Sequence, residues 1–177
     1  MAYLENKDIL LRALEPEDLD ILYKWENNSE LWKCSSTLTP YSKFALRDYL
    51  INSLHSIIHT RQLRLMAVEK ESHLAVGTVD LYDFDPIHQR AGIGILVDIH
   101  HRHKGLGTVI LHLAADYAFS MLHLNQLYAY IPVSNTASFN LFCKCGYEPT
   151  GLLKSWLKFS AGFEDVHLMQ LMKNGDK

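Results

Sequence analysis

Apolar positions along this chain follow two spacings, one typical of strands and one typical of helices. Short strand-like runs fall at Ile9–Leu14, Leu63–Lys70, Ala75–Phe84, Arg90–Asp98, Gln126–Val133, Leu152–Phe159 and Val166–Met172. Apolar residues spaced by three or four predict helices from Pro16, from about Ser42 to Ile57, from Leu106 to Leu124, and between Asn135 and Gly146. The order of these elements predicts an α/β domain with a mixed sheet.

The middle of the chain holds three consecutive strands. Asp85-Pro86 marks a turn, so the strands on either side of it are predicted to be antiparallel neighbours. Period-two alternation places Asp80 and Tyr82 on one face of their strand, and Asp83 on the other unless a bulge intervenes. No repeat or linker interrupts the sequence, which favours one domain over residues 1–177.

Composition adds limits on function. Hydrophobic residues make up 48% of the 177 residues, enough to build a core. A net charge of -3 gives no support to nucleic-acid binding, although it is compatible with a cationic substrate. Three cysteines, an odd number, favour a reducing compartment. Without a signal-like start or a long apolar run, no membrane partner is expected and the predicted location is the cytoplasm.

The most informative segment is Arg102-His103-Lys104-Gly105-Leu106-Gly107-Thr108, between a strand and the longest helix. Glycines let the backbone approach a ligand, and the free N–H groups of a first helical turn bind phosphate. The lysine precedes Gly105, unlike in a Walker loop, and Ile110 stands where a dinucleotide fingerprint needs glycine. The nearby histidines, His100, His101 and His103, lack a metal-ligand pattern, so no metal site is predicted.

Here the chain resembles the GNAT superfamily of N-acetyltransferases. Arg102-x-x-Gly105-x-Gly107 is similar to the family's acyl-CoA motif, residues 134–147 resemble its second cofactor segment, and residues 11–19 resemble its opening strand and helix. Within the superfamily, the branch of polyamine and ribosomal-protein N-terminal acetyltransferases is the most similar. The resemblance implies a mostly antiparallel mixed sheet flanked by helices, with a splayed strand pair that holds acyl-CoA.

The same resemblance implies acetyl-CoA as co-substrate and assigns its contacts. The pantetheine arm would lie along Ile95, Leu96 and Val97, and a backbone N–H near Leu96 would polarise the thioester carbonyl. Side chains on the second segment would contact the arm, at Asn135, Asn140 and Phe142. The pyrophosphate would be held by residues at the helix start, with charge added by Arg102 and Lys104: His103, Lys104, Gly105, Leu106, Gly107 and Thr108.

The resemblance also bears on two catalytic groups, an acid and a base. Many relatives carry a tyrosine acid where this chain has Phe142, so the donor for the leaving thiol is missing there. Asp80 is the first choice for the base that deprotonates the amine, Tyr82 is the second, and either Asp80 or Asp83 can act through water.

Three functions remain open from the sequence. The first is acetylation of a primary amine on a small molecule such as a polyamine, although Leu38 and Thr39 stand where polyamine enzymes carry acids. The second is acetylation of a protein N-terminus, and the third is a non-catalytic acyl-CoA sensor, suggested by Phe142. A homo-oligomer is compatible with all three.

Overall fold

A computed structural model describes residues 3–32, 39–53, 56–159 and 162–173, so Cys34, Leu38 and Leu54 lie outside the described residues. The strands are β1 (Ile9–Ala13), β2 (Leu63–Glu69), β3 (Ala75–Asp85), β4 (Arg90–Val97), β5 (Gln126–Pro132), β6 (Glu148–Phe159) and β7 (Gly162–Met172). The α-helices are α1 (Leu19–Glu26), α2 (Ser29–Trp32), α3 (Lys43–Asn52), α4 (Ile57–Thr60), α5 (Leu106–Ser120) and α6 (Thr136–Lys144).

The seven strands form one sheet in the order β1-β2-β3-β4-β5-β7-β6. Every neighbouring pair is antiparallel except β4 and β5, which are parallel. This confirms the predicted mixed, mostly antiparallel sheet and the antiparallel pairing across the Asp85-Pro86 turn.

Element boundaries differ from the predictions at the second long helix. α3 ends at Asn52, where Ser53 caps it and its hydroxyl donates to the Leu50 carbonyl (2.7 Å). The predicted continuation to Ile57 is therefore wrong. Ser56 instead begins the separate turn α4 by accepting a hydrogen bond from the Ile58 N–H (3.3 Å). Serine side chains compete with helical backbone hydrogen bonds, which accounts for the break.

The sheet has a separate hydrophobic core on each face. α5 and α6 cover one face, where Ile110 and Leu111 of α5 pack on Val79 and Ile93 of the sheet. α1 and α3 cover the other, where buried residues form a smaller core: Leu14, Leu22, Trp25, Leu50, Met66 and Val68. Alternation along β3 therefore turns Asp80 and Tyr82 towards the α1/α3 face and Val79 and Leu81 towards α5.

A bidentate ion pair fixes the start of α1 to the first strand. Arg12 on β1 donates to both carboxylate oxygens of Asp18 at 2.7 and 2.8 Å, and the Glu15 N–H donates to the same carboxylate. Burial alone would raise the pKa of Asp18, but these donors outweigh it and hold the pKa below its ordinary value. Within the described residues, no helix is both long and apolar enough to cross a membrane.

Candidate acyl-CoA and acceptor site

Strands β4 and β5 separate part-way along their length. Their parallel ladder consists of three registered pairs, from Arg90 opposite Gln126 to Gly92 opposite Tyr128. β4 nevertheless stays paired with β3 as far as Val97. Beyond Gly92, the β4 edge that faces β5 therefore borders an open wedge, where backbone groups are available to an extended ligand. The backbone from Ile95 to Val97 lines this wedge, which confirms the predicted splayed pair.

The N-terminus of α5 lies at the open end of the wedge. Gly105 precedes the helix with φ of +79°, a left-handed conformation that suits glycine, and a Cβ built there meets no atom within 4 Å. The Thr108 and Val109 N–H groups donate hydrogen bonds to the Gly105 carbonyl. Among the described residues, the Leu106 and Gly107 amides have no such partner, as expected for a first helical turn.

The two glycines of the motif do different things. A Cβ at Gly107 would come within 2.9 Å of Leu141 Cδ2 and 3.4 Å of Ile95 Cδ1. Gly107 thus allows α5 to approach α6 and β4 closely, while Gly105 makes the turn. The residues before them, Arg102, His103 and Lys104, are exposed at the same helix end. Together these features fit a diphosphate, because free amides, the helix dipole and cationic side chains converge there.

Asp98 anchors the turn between β4 and this anion site. Its buried carboxylate accepts hydrogen bonds from the Trp25 indole N–H (2.6 Å) and the His100 N–H (2.9 Å), and His101 lies 3.5 Å away. Burial alone would raise the pKa of Asp98, but the Trp25 and His100 donors outweigh it and lower the pKa. The link between Trp25 and Asp98 joins residues 73 positions apart, so local sequence patterns do not reveal it.

Asp98→Asn is expected to reduce stability at neutral pH by about 1–3 kcal/mol, the usual cost when a buried hydrogen-bond network is impaired. Because the native pKa of Asp98 is lowered, its contribution is full above the unfolded value of about 3.9 and is lost as pH falls through the native pKa. Urea unfolding from pH 7 to pH 3 measures this, with exposed Asp20→Asn as control. Equal pH slopes for wild type and Asp98→Asn would contradict the prediction.

The three residues predicted on α6 occupy different environments. Asn135 caps the helix, its side-chain oxygen accepting from the Ser138 N–H at 3.1 Å. Asn140 is exposed. Phe142 is only 2% exposed and belongs to the core on the α5/α6 face. Its ring packs edge-to-face against Tyr147 with centroids 4.8 Å apart. Phe142 is therefore part of the hydrophobic core on the α5/α6 side of the sheet.

Asp80 belongs to a charge cluster on the α1/α3 face. Arg64 lies directly opposite it in the β2–β3 register and donates from Nε to its carboxylate at 2.6 Å. Arg64 also donates from Nη1 to Glu26 at the end of α1 (2.5 Å), and its guanidinium lies 5.4 Å from the centroid of the Tyr49 ring. Burial would lower the pKa of Arg64, but the attraction of Asp80 outweighs it and raises the pKa, so Arg64 remains charged. The unpredicted Arg64 and Glu26 share this site with Asp80.

Tyr82 closes the narrow end of the wedge. A Cβ on Gly92 would lie 2.1 Å from Tyr82 Cε2, so the ring occupies the space that this glycine leaves. Tyr82 also packs edge-to-face with Tyr128, at 6.1 Å between centroids. Burial is the first cause of the raised pKa of Tyr82, while the backbone N–H of Tyr130 opposes that rise. Tyr82 is therefore a neutral hydroxyl at neutral pH.

Asp83 departs from simple alternation. The β3–β4 register shifts between Tyr82 and Asp85, and Asp83 has φ of +49°, so a bulge lies at this point. The residue is exposed in a polar cleft of about 520 Å³ that Tyr128 and Tyr130 also line. Asp80 and Tyr82 thus share a face as predicted, while Asp83 opens to a neighbouring cleft. In the described part of the chain, no group of three or more potential ligands could hold a metal ion.

The splayed strands and the glycine-containing start of α5 are the features expected of an acyl-CoA-dependent acyltransferase. The chain matches the family described as Acetyltransferase (GNAT) domain over residues 8–148, and it belongs to that family. It is therefore an acetyltransferase that uses acetyl-CoA, as the resemblance implied.

Named relatives include two bacterial enzymes. Spermidine N(1)-acetyltransferase of Vibrio cholerae is 28% identical over 96% of this chain and 95% of the relative. The enzyme of the same name from Escherichia coli is 31% identical over 82% of this chain and 75% of the relative.

Solved structures agree with the sequence matches. The crystal structure of Vibrio cholerae spermidine N-acetyltransferase with CoA and spermine superimposes with a TM-score of 0.86 at 26% identity, covering 94% of this chain and 96% of the other. A dodecameric structure of that enzyme gives a TM-score of 0.77 at 26% identity, covering 94% and 95% of the two chains.

Proposed function

We propose that this chain, as one catalytic domain over residues 1–177, transfers the acetyl group of acetyl-CoA to a primary amine of a polyamine. The observation that carries the proposal is the wedge between β4 and β5, which runs from the α5 anion site to Tyr82 and Asp80. The relatives named as spermidine acetyltransferases support the acceptor class. Acetyl-CoA supplies an activated acyl group, and the protein positions it and the amine.

The cofactor contacts in this proposal follow the wedge. Amides at the start of α5, from His103 to Thr108, hold the diphosphate, with Arg102 and Lys104 adding charge. Backbone groups of Ile95, Leu96 and Val97 hold the pantetheine arm, and the N–H near Leu96 polarises the thioester carbonyl. The α6 residues Asn135, Asn140 and Phe142 complete this side. Geometry supports the first two groups, since Ile95 to Val97 lie on β4 beyond its last pair with β5 and residues 103–108 form the turn and start of α5. The support for α6 is that its Leu141 side chain lies against Gly107.

The acceptor side of the proposal lies on the α1/α3 face. Asp80 takes the proton from the incoming ammonium, directly or through water, and Arg64 and Glu26 hold it in position. The exposed Asp83 is the other candidate for this role, while the raised pKa of Tyr82 leaves it a neutral hydroxyl and not a base. Thr39 is exposed and brings no negative charge to the segment before Pro40. In this proposal the cationic amine is therefore attracted by the carboxylates of the α1/α3 face, Asp80 and Glu26.

Gly105→Asp is expected to weaken CoA binding at least about tenfold relative to Gly105→Asn, because only aspartate brings a negative charge to the diphosphate. The two side chains have the same shape, tolerate the left-handed conformation comparably, and enter open space. Position 107 would test packing as well, because a side chain there meets Leu141.

Calorimetry with CoA at two salt concentrations measures the effect, and the difference should shrink as salt screens the charges. Melting temperatures of the two variants provide the check on folding. Equal CoA affinity for both folded variants would contradict a diphosphate at this helix end.

A turnover screen tests the activity itself. Thiol release from acetyl-CoA is measured with spermidine, spermine, aminoglycosides, amino acids and short peptides. Turnover with polyamines supports the proposal, while turnover with peptides alone would assign the chain to N-terminal acetylation. CoA binding without turnover on any amine would favour a sensor, the alternative that buried Phe142 suggests.

The oligomeric state is part of the same proposal. The dodecameric structure of the Vibrio cholerae relative supports a homo-oligomer for this chain. Light scattering after size exclusion, with and without spermine, measures the mass; a monomer under both conditions would contradict it.

A further inference from the structure

A row of aromatic side chains crosses the sheet on the side opposite α5 and α6. Tyr82 on β3 meets Tyr128 on β5 edge-to-face, with 6.1 Å between ring centroids. Tyr130 lies 5.5 Å from Tyr128 and stacks on Trp156 of β6 at 6.2 Å. The two β5 tyrosines alternate with Ala129, which belongs to the core against α5 and α6. The aromatic row therefore begins at the narrow end of the wedge and lies on the acceptor side of the sheet.

A bulge in β6 places Trp156 at the outer end of the aromatic row. The β6–β7 register shifts there, and Ser155 has φ of +49°. The Asp165 carboxylate on β7 accepts a hydrogen bond from the Ser155 N–H at 2.8 Å and so holds the bulge. Trp156 is nevertheless 55% exposed and Tyr130 is 41% exposed. Large rings that are fixed in place but left accessible are typical of a binding surface.

Asp83 places a carboxylate beside these rings. It lines the polar cleft of about 520 Å³ together with Tyr128 and Tyr130. Burial is the first cause that raises the pKa of Tyr128 to about 12, and the charge of Asp83 is the second. Tyr128 is therefore a neutral phenol at neutral pH, and the negative charge of this part of the cleft belongs to Asp83.

The charge of Asp83 differs from that of the neighbouring carboxylates in having no cationic partner. The two carboxylates of the Arg64 cluster share that guanidinium, and Asp85 lies 3.5 Å from Arg90. Arg61 also lines the cleft, but it donates to a backbone carbonyl of β3 at 2.8 Å. Among the residues that the structure describes, Asp83 forms no ion pair. A cation that enters the cleft can therefore pair with Asp83 without displacing an existing partner.

A carboxylate next to exposed aromatic faces is suited to an alkylammonium group. The carboxylate pairs with the charge, the ring faces attract the cation, and the methylene groups pack on the rings. Asp83 follows Asp80 by three residues, which is about 10 Å at the ordinary rise of a strand. Extended spermidine spans about 11 Å between its terminal nitrogens at ordinary bond lengths. A polyamine with one end at Asp80 thus reaches Asp83 with the other.

We propose that Asp83 and three members of the aromatic row, Tyr128, Tyr130 and Trp156, bind the far ammonium group of the polyamine. This inference rests on the proposed function and deepens it, because it gives the enzyme a preference for amines that carry a second charge at the right distance. It also gives Asp83 a role in substrate selection that differs from that of the base.

Comparing 1,8-diaminooctane with n-octylamine tests the inference, because the two substrates share a carbon chain and differ in the second amine. We expect the wild-type kcat/KM to be at least about tenfold higher for the diamine, the effect of one charge-assisted contact. In Asp83→Asn the ratio should fall to about twofold, the statistical advantage of two identical ends, with the loss in KM for the diamine. Asparagine suits the φ of +49° at this position as well as aspartate does.

Glu148→Gln is the matched control, because it removes an exposed carboxylate from the start of β6, opposite Gln170. Its preference for the diamine should equal that of the wild type. Trp156→Leu should weaken the diamine about threefold, since it removes one cation–π contact at an exposed site. Calorimetry of 1,8-diaminooctane binding to the CoA complex should rank the variants in the same order without turnover.

A wild-type enzyme that does not prefer the diamine would overturn the inference, and so would an Asp83→Asn variant that keeps the preference. An equal fall in kcat for both amines in Asp83→Asn would show that Asp83 acts in the chemical step instead. Each of these results leaves the proposed function standing. An absence of turnover on every amine by the wild-type protein would instead overturn the proposed function.

Discussion

Replacing Arg64 with methionine is expected to lower the free energy of unfolding by about 3–5 kcal/mol, the range for breaking a buried ion pair from one side. Arg64 bridges Glu26 and Asp80 at 2.5 and 2.6 Å, and all three side chains are at most 20% exposed. Methionine retains much of the apolar stem but leaves two carboxylates close together without their cation. Both the desolvation of the charges and their mutual repulsion then oppose folding.

Urea unfolding at pH 7 measures this loss, and the matched control is Lys43→Met. Lys43 on α3 pairs with Asp20 on α1 at 2.6 Å, so this ion pair also involves α1. Unlike the Arg64 cluster it is exposed, with 54% of the Lys43 side chain and 81% of the Asp20 side chain accessible. The expected change there is below about 1 kcal/mol, because solvent screens such a pair. A deficit no larger than that of the control would show that the cluster does not hold α1 on the sheet.

Asp80→Asn is expected to lower kcat/KM for the amine about 10²-fold, the lower end of general base catalysis. A lysine-like amine has a pKa of about 10.4, so it is almost wholly protonated at neutral pH and only its neutral form attacks. The carboxylate attracts the cation and accepts its proton. Much of the loss should be recovered at high pH, where the free amine becomes abundant.

The chain offers a matched control for this variant in Glu26→Gln. Glu26 and Asp80 are both partners of the Arg64 guanidinium, so each substitution removes one charge from the same cluster. If the two variants lose a similar amount of stability but only Asp80→Asn lowers kcat/KM, the base is Asp80. Equal kinetic losses at both positions would show that the cluster acts by positioning. Full activity of Asp80→Asn from pH 6 to 9 would transfer the role to Asp83 or solvent.

Much of the fold was predictable because its signals are local. The alternation along β3, the helical spacing from Leu106 onward and the glycine at position 146 each follow from a few neighbouring residues. The boundaries failed where polar side chains compete with the backbone, as Ser53 and Ser56 do around the end of α3. The extra length of β6 and β7 depends on pairing between the two strands, which local spacing does not express.

The candidate site was predictable only on its cofactor side. Gly105 and Gly107 could be recognised because a helix start built to bind an anion needs a short contiguous segment. Arg64 was missed although a charged residue inside a strand is a signal, because its meaning requires the β2–β3 register that sets it opposite Asp80. Tyr147 ends the stretch that resembles the second cofactor segment, but nothing local shows that its hydroxyl lacks a partner among the residues that the structure describes.

The sequence by itself determined the family, the order of the strands and helices, the acyl-CoA motif and the absence of tyrosine at position 142. Local periodicity and short motifs carry each of these. Only the tertiary structure decided that Gly107 serves helix packing, that Asp80 is shared with Arg64 and Glu26, and that Phe142 and Tyr147 form one buried pair. These are contacts between segments distant in sequence or across a chain reversal, where burial and hydrogen bonding depend on the packing of the whole sheet.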